Sequence, residues 1–105
     1  MSPKTLSDAE VLKKVKQLVS ANKIRWTTHA EKRMAERGID KGQVKKCLLS
    51  GRFNEGPTIS IRPGDIQYEF RMFANVDGES INTVASLFPD KNVLVITLFD
   101  PNSGN

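Results

Sequence analysis

The sequence predicts an α+β domain, with N-terminal helices packed on a C-terminal antiparallel sheet of about four strands. Three observations predict it. Apolar residues recur at helical spacing before about residue 52 and alternate after it. Three helix-capping signals stand in the first half. Pro63-Gly64 and Asp77-Gly78 punctuate the second half as turns. The 105 residues fit one domain, 1–105, with 1–7 and 100–105 expected to fray.

The elements follow in order. Ser7-Asp8-Ala9-Glu10 reads as a capping box, and Val11, Val15, Leu18 and Val19 form the apolar stripe of a first helix. Asn22 can stop that helix in the left-handed conformation. Ile24-Arg25-Trp26 is a short extended link or edge strand. Thr28 followed by Glu31 repeats the capping device, which puts His29 at the first helical position. Gly38 ends this second helix, with Ile39 folding back against it. Asp40 and Gln43 start a third helix with Val44, Cys47 and Leu48 inside, and Gly51 ends it.

Then the period changes. Thr58 to Arg62 is a short strand. Ile66, Tyr68, Phe70, Met72 and Ala74 alternate with Gln67, Glu69, Arg71, Phe73 and Asn75. Ser80 to Phe88 forms the next strand, turned by Pro89-Asp90-Lys91-Asn92. Val93 to Phe99 is apolar almost throughout, which predicts a central strand covered on both faces.

Composition narrows the function classes. No apolar run approaches a membrane span, and the polar amphipathic start gives no secretory signal, so the cytoplasm is the expected compartment. Cys47 is the only cysteine, which rules out an internal disulfide and a cysteine metal cluster. Paired metal-ligand spacings, a glycine-rich phosphate loop and a serine nucleophile elbow are all missing, so neither metal nor cofactor is expected. Charge is uneven: residues 1–53 hold 13 Lys/Arg against 5 Asp/Glu, and residues 54–105 hold 3 against 7. A half with net +8 suits a polyanion, most simply RNA, or an acidic protein partner. So short a chain buries a modest core, so a site should be a surface cleft or a sheet face.

The chemistry-bearing residues cluster around one helix. His29, Arg33 and Arg37 recur at four-residue intervals, with Arg33 about 40° and Arg37 about 80° from His29 around the axis. The helix dipole and Arg33 both disfavour an imidazolium, so a neutral His29 could take a proton. Equally, His29 could simply decorate a helix start. Arginine forks match phosphate oxygens, but Arg33 and Arg37 could instead pair with Glu36 or Glu31. Arg71 sits on the polar phase of its strand, where it could face RNA or pair with a carboxylate. Arg25, Lys32, Arg37, Lys45 and Lys46 are candidates for nucleic-acid contact. Tyr68 reads as a core residue, and Trp26 either plugs the core between helix and sheet or stacks on a base.

The stretch Ile24 to Ile39, with its His-Ala-x-x-Arg-Met-x-x-Arg-Gly-Ile pattern, resembles a group of small bacterial domains allied to RelE-like toxins of toxin–antitoxin systems. Val15-Lys16-Gln17-Leu18-Val19 followed by Ile24 to Thr28 is similar to the MqsR branch. The resemblance covers roughly residues 11 to 99. It implies a RelE-like fold and a metal-independent endoribonuclease acting on mRNA, free or on the ribosome, restrained by a cognate antitoxin. It casts His29 as acid or base and Arg33 as the phosphate clamp, with Arg37 beside them; Arg71 joins them as a catalytic candidate from its strand position alone. Thr97 falls at the family's last-strand position, and Phe99 stands where a tyrosine is frequent, without its hydroxyl. Two other readings stay open: a non-catalytic nucleic-acid or ribosome binding module, and an interaction domain for an acidic protein.

Overall fold

The computed structural model describes residues 6–62 and 65–99. Three helices, α1 (Asp8–Ser20), α2 (Thr28–Arg37) and α3 (Lys41–Ser50), join five strands, β1 (Ile24–Trp26), β2 (Arg52–Arg62), β3 (Asp65–Val76), β4 (Glu79–Phe88) and β5 (Asn92–Phe99). The α+β expectation holds. The sheet has five strands in the order β1-β5-β4-β3-β2, and it is mixed, because β1 runs parallel to β5. The expectation of about four antiparallel strands left Ile24-Arg25-Trp26 as a link or an edge strand, and it is an edge strand. A three-residue strand is too short to show alternation, and its pairing to Val93, Leu94 and Val95 crosses the whole chain.

Local signals account for most element ends. Ser7 and Glu10 complete the capping box of α1, and Asp40 and Gln43 that of α3. Asn22 adopts φ 62° after α1, while the Lys23 amide donates to the Leu18 carbonyl at 2.8 Å. Gly38 adopts φ 66°, and the Ile39 amide closes the end of α2 on the Met34 carbonyl at 2.9 Å. Asp77 and Gly78, at φ 53° and 82°, form the tight β3–β4 hairpin that such a dipeptide favours.

Two boundaries differ from the sequence reading. Thr27, not Thr28, caps α2: its hydroxyl accepts the Ala30 amide at 3.0 Å, so His29 is the second helical residue. Both threonines fit the pattern, and the choice falls to the one that also reaches β5. β2 starts at Arg52, directly after Gly51, and carries irregularities between Phe53 and Thr58 that mask its alternation. At the N-terminal end of the described residues, the Leu6 amide donates to the Tyr68 hydroxyl at 3.0 Å. The Pro63-Gly64 turn, residues 1–5 and the tail from Asp100 lie outside the described residues.

All three helices lie on one face of the sheet. One core holds Val11, Val15 and Val19 of α1, Ala30 and Met34 of α2, and Val44, Cys47 and Leu48 of α3. Facing them are Tyr68, Phe70 and Met72 of β3, Ile81, Ala85 and Leu87 of β4, and Val93, Val95 and Leu98 of β5. Trp26 packs against its margin. β5 is an interior strand, but only this face of it is buried. The expected cover on its second face does not exist among the described residues. The apolar residues of that second phase, Leu94 and Phe99, are half-buried rather than buried.

Candidate nucleic-acid interface

The opposite phase of every long strand forms a sheet face against which no described helix packs. Strand pairing fixes its rows. Arg52, Phe73, Asn82 and Phe99 lie in line across β2, β3, β4 and β5. Glu55, Arg71, Val84 and Thr97 make the next row. Thr58, Glu69, Ser86, Leu94 and Arg25 make the third, ending on β1. Phe73, Val84, Phe88, Leu94 and Phe99 are half-buried and stand outside the core cluster.

Polar groups on this face are held in place. The Arg71 guanidinium lies over the Phe99 ring, 4.8 Å from its centre. Ser86, 1% exposed, donates to Gln67 Oε1 at 2.8 Å. Asn82, 2% exposed, accepts from Asn54 Nδ2 at 3.3 Å. Cations, flat rings and amides on one open face are the chemistry that grips single-stranded RNA: arginine for phosphate, rings for stacked bases, amides for base edges.

The start of α2 is fastened to the margin of the same sheet. Thr27 donates its hydroxyl to the Ile96 carbonyl at 2.6 Å, and its amide to the Val95 carbonyl at 3.1 Å. Ile96 is the extra residue of an irregularity, between Val95 paired to Ala85 and Thr97 paired to Val84. His29 is exposed two residues beyond this clasp. It forms no hydrogen bond or ion pair with Arg33, Arg37 or Arg71. Arg71 is on β3, two strands in from β5, or about 10 Å across the sheet.

The other candidates are distributed by the fold. Arg33 meets Glu36 at 3.9 Å with both side chains about half exposed, a weak pair. Arg37 is half-buried at the end of α2 and engaged. Lys32 is exposed on α2. Lys45 donates to Asn22 Oδ1 at 2.8 Å, and Lys46 meets Asp77 at 3.7 Å. Both belong to α3, which packs on the covered face, so they do not share a surface with Arg71. Arg25 does, at the β1 end of the third row. Sequence reasoning passed over Arg52, Asn54, Asn82, Ser86 and the role of Phe73. The polar phase of β4, Asn82 and Ser86 around Val84, was the signal available for two of them.

Fold and site together define a class: a small α+β domain with three helices on one side of a mixed sheet and, on the other, an open face carrying arginines, carboxylates and phenylalanines. The chain belongs to the family described as domain of unknown function DUF4258, whose model matches residues 26–100. No curated protein and no solved structure matches it significantly. Among the described residues, no group of three His, Cys, Asp or Glu could hold a metal ion, and no helix is long and apolar enough to cross a membrane.

Proposed function

We propose that this domain is a RelE-like toxin of a bacterial toxin–antitoxin system that cleaves mRNA without a metal ion. The observation that carries the reading is Arg71 stacked on Phe99 in the middle of an open sheet face whose edge holds the start of α2. RNA lies on that face with its phosphates toward Arg71 and Arg25. A general base takes the ribose 2′-hydroxyl proton, and the oxygen attacks the adjacent phosphorus. The 5′-oxygen leaves with a proton from a general acid, and a 2′,3′-cyclic phosphate remains. His29 is the one imidazole, and serves as acid or base; Arg33 and Arg71 offset the charge that builds on phosphate. A cognate antitoxin would silence the domain by covering the same face.

Induced expression, with primer-extension mapping of cellular mRNA, tests the reading. Wild type should arrest growth and create new mRNA ends, while His29→Ala, Arg33→Ala and Arg71→Ala should abolish both. The absence of arrest and of cleavage from folded protein would refute it. One observation favours a second reading, a nucleic-acid or ribosome binding module without catalysis: His29 forms no hydrogen bond or ion pair with any of the arginines. Salt-sensitive RNA binding by a protein that leaves the RNA intact would select that reading.

A further inference from the structure

We infer that β2 pairs edge to edge with β2 of a second copy of this chain, antiparallel about a two-fold axis at Ser60. The inference is independent of the RNA reading above. β2 is an outer strand of the sheet, and among the described residues nothing pairs with its free side. Ile59 on this strand, at 37% exposed, is the large hydrophobic left open among the described residues. Its register partner Tyr68 is 3% exposed, so the cover given by the helix layer ends between β3 and β2. The part of β2 before Thr58 carries register irregularities and Pro57, features that keep an edge from pairing. Thr58 to Arg62 has neither: five residues lie in unbroken register with β3.

Strand geometry makes this stretch complementary to itself. Along β2, alternate residues turn both N–H and C=O toward β3, and the residues between turn theirs outward. An antiparallel two-fold joins outward residues to outward residues, so odd positions oppose odd and even oppose even. Opposed side chains share one face of the joined sheet. Ile59 and Ile61 are both odd, so the apolar phase meets itself wherever the axis falls. An axis at Ser60 keeps all five residues paired: Thr58 opposes Arg62 of the second copy, and Ile59 opposes its Ile61. Charge agrees. Thr58 is in register with Glu69, which is exposed, and Arg62 with Asp65. The joined row runs Glu69, Thr58, then Arg62 and Asp65 of the second copy, with no like charges adjacent. A pairing this short buries less than a standard interface, so the dimer is a weak one.

Sedimentation velocity of the full chain from about 5 μM to about 500 μM is the test. Wild type should shift from monomer to a species of twice the mass. Ile59→Lys, at an exposed position, should weaken association at least about tenfold while leaving the circular dichroism spectrum unchanged. Cross-linking fixes the axis. Ser60→Cys places two thiols directly opposite, with Cα atoms about 5 Å apart, and should give a disulfide dimer under mild oxidation. Ile59→Cys leaves its two thiols offset along the strands, with Cα atoms about 8 Å apart, and should not. Cys47 is buried and takes no part. A wild-type monomer throughout the range would overturn the inference, and so would a dimer indifferent to Ile59→Lys. Failure of Ser60→Cys to cross-link, or cross-linking by Ile59→Cys in its place, would overturn the axis.

Discussion

Thr27→Val removes a single hydroxyl and should uncouple α2 from the sheet. That hydroxyl makes two bonds at once. It accepts the Ala30 amide at 3.0 Å as the helix cap, and it donates to the Ile96 carbonyl at 2.6 Å. Losing an N-cap costs about 1 kcal/mol. Losing the donor to a part-buried carbonyl costs about another 1 kcal/mol. Valine keeps the shape and Thr27 keeps its backbone bond to Val95, so packing changes add little. The total, about 2 kcal/mol, corresponds to a fall in Tm of roughly 10 °C for a domain of this size. Urea and thermal unfolding by circular dichroism measure it. Thr28→Val is the control: Thr28 is exposed and caps nothing, so it should shift stability by less than about 0.5 kcal/mol. Equal effects of the two substitutions, or a larger effect at Thr28, would refute the assignment of the cap and of the clasp to β5.

Two further outcomes follow from the core. Gly51→Ala should destabilise by about 1–3 kcal/mol in the same unfolding assay, as overpacking does. A Cβ there would stand 2.5 Å from the Cys47 carbonyl oxygen and 2.6 Å from that of Phe73, both backbone atoms. Cys47 should give stability a pH dependence. Burial pushes its thiol above the ordinary range, outweighing the Thr83 hydrogen bond, which lowers it. The native state therefore keeps a proton that the unfolded chain releases. The contribution is complete below the ordinary thiol range and is lost as pH rises through it toward the raised value, at up to about 1.4 kcal/mol per pH unit. Urea unfolding between pH 7 and pH 10 should show a decline that is shallower in Cys47→Ala; parallel slopes would exclude the thiol as its source.

The chain itself determined the helices, the change of period and the long antiparallel meander. Those depend on near neighbours: Ser7 with Glu10, Asp40 with Gln43, Gly38 in the left-handed conformation, and Asp77-Gly78 at the hairpin. Tyr68 as a core residue, and Arg71 on the polar phase of β3, were legible for the same reason, since alternation along one strand assigns each residue a face. Tertiary structure decided what period cannot carry. Thr27 prevailed over Thr28 because only one of two equivalent caps reaches the Ile96 carbonyl, about seventy residues away. β1 became a strand by pairing with β5. Val93 to Phe99 looked covered on both faces because both phases are apolar, yet three helices suffice to cover only one side of five strands. The residues of the open face, Arg52, Phe73, Asn82 and Phe99, come from four different strands. They form a row only through inter-strand register, a long-range property that no local pattern in the chain encodes.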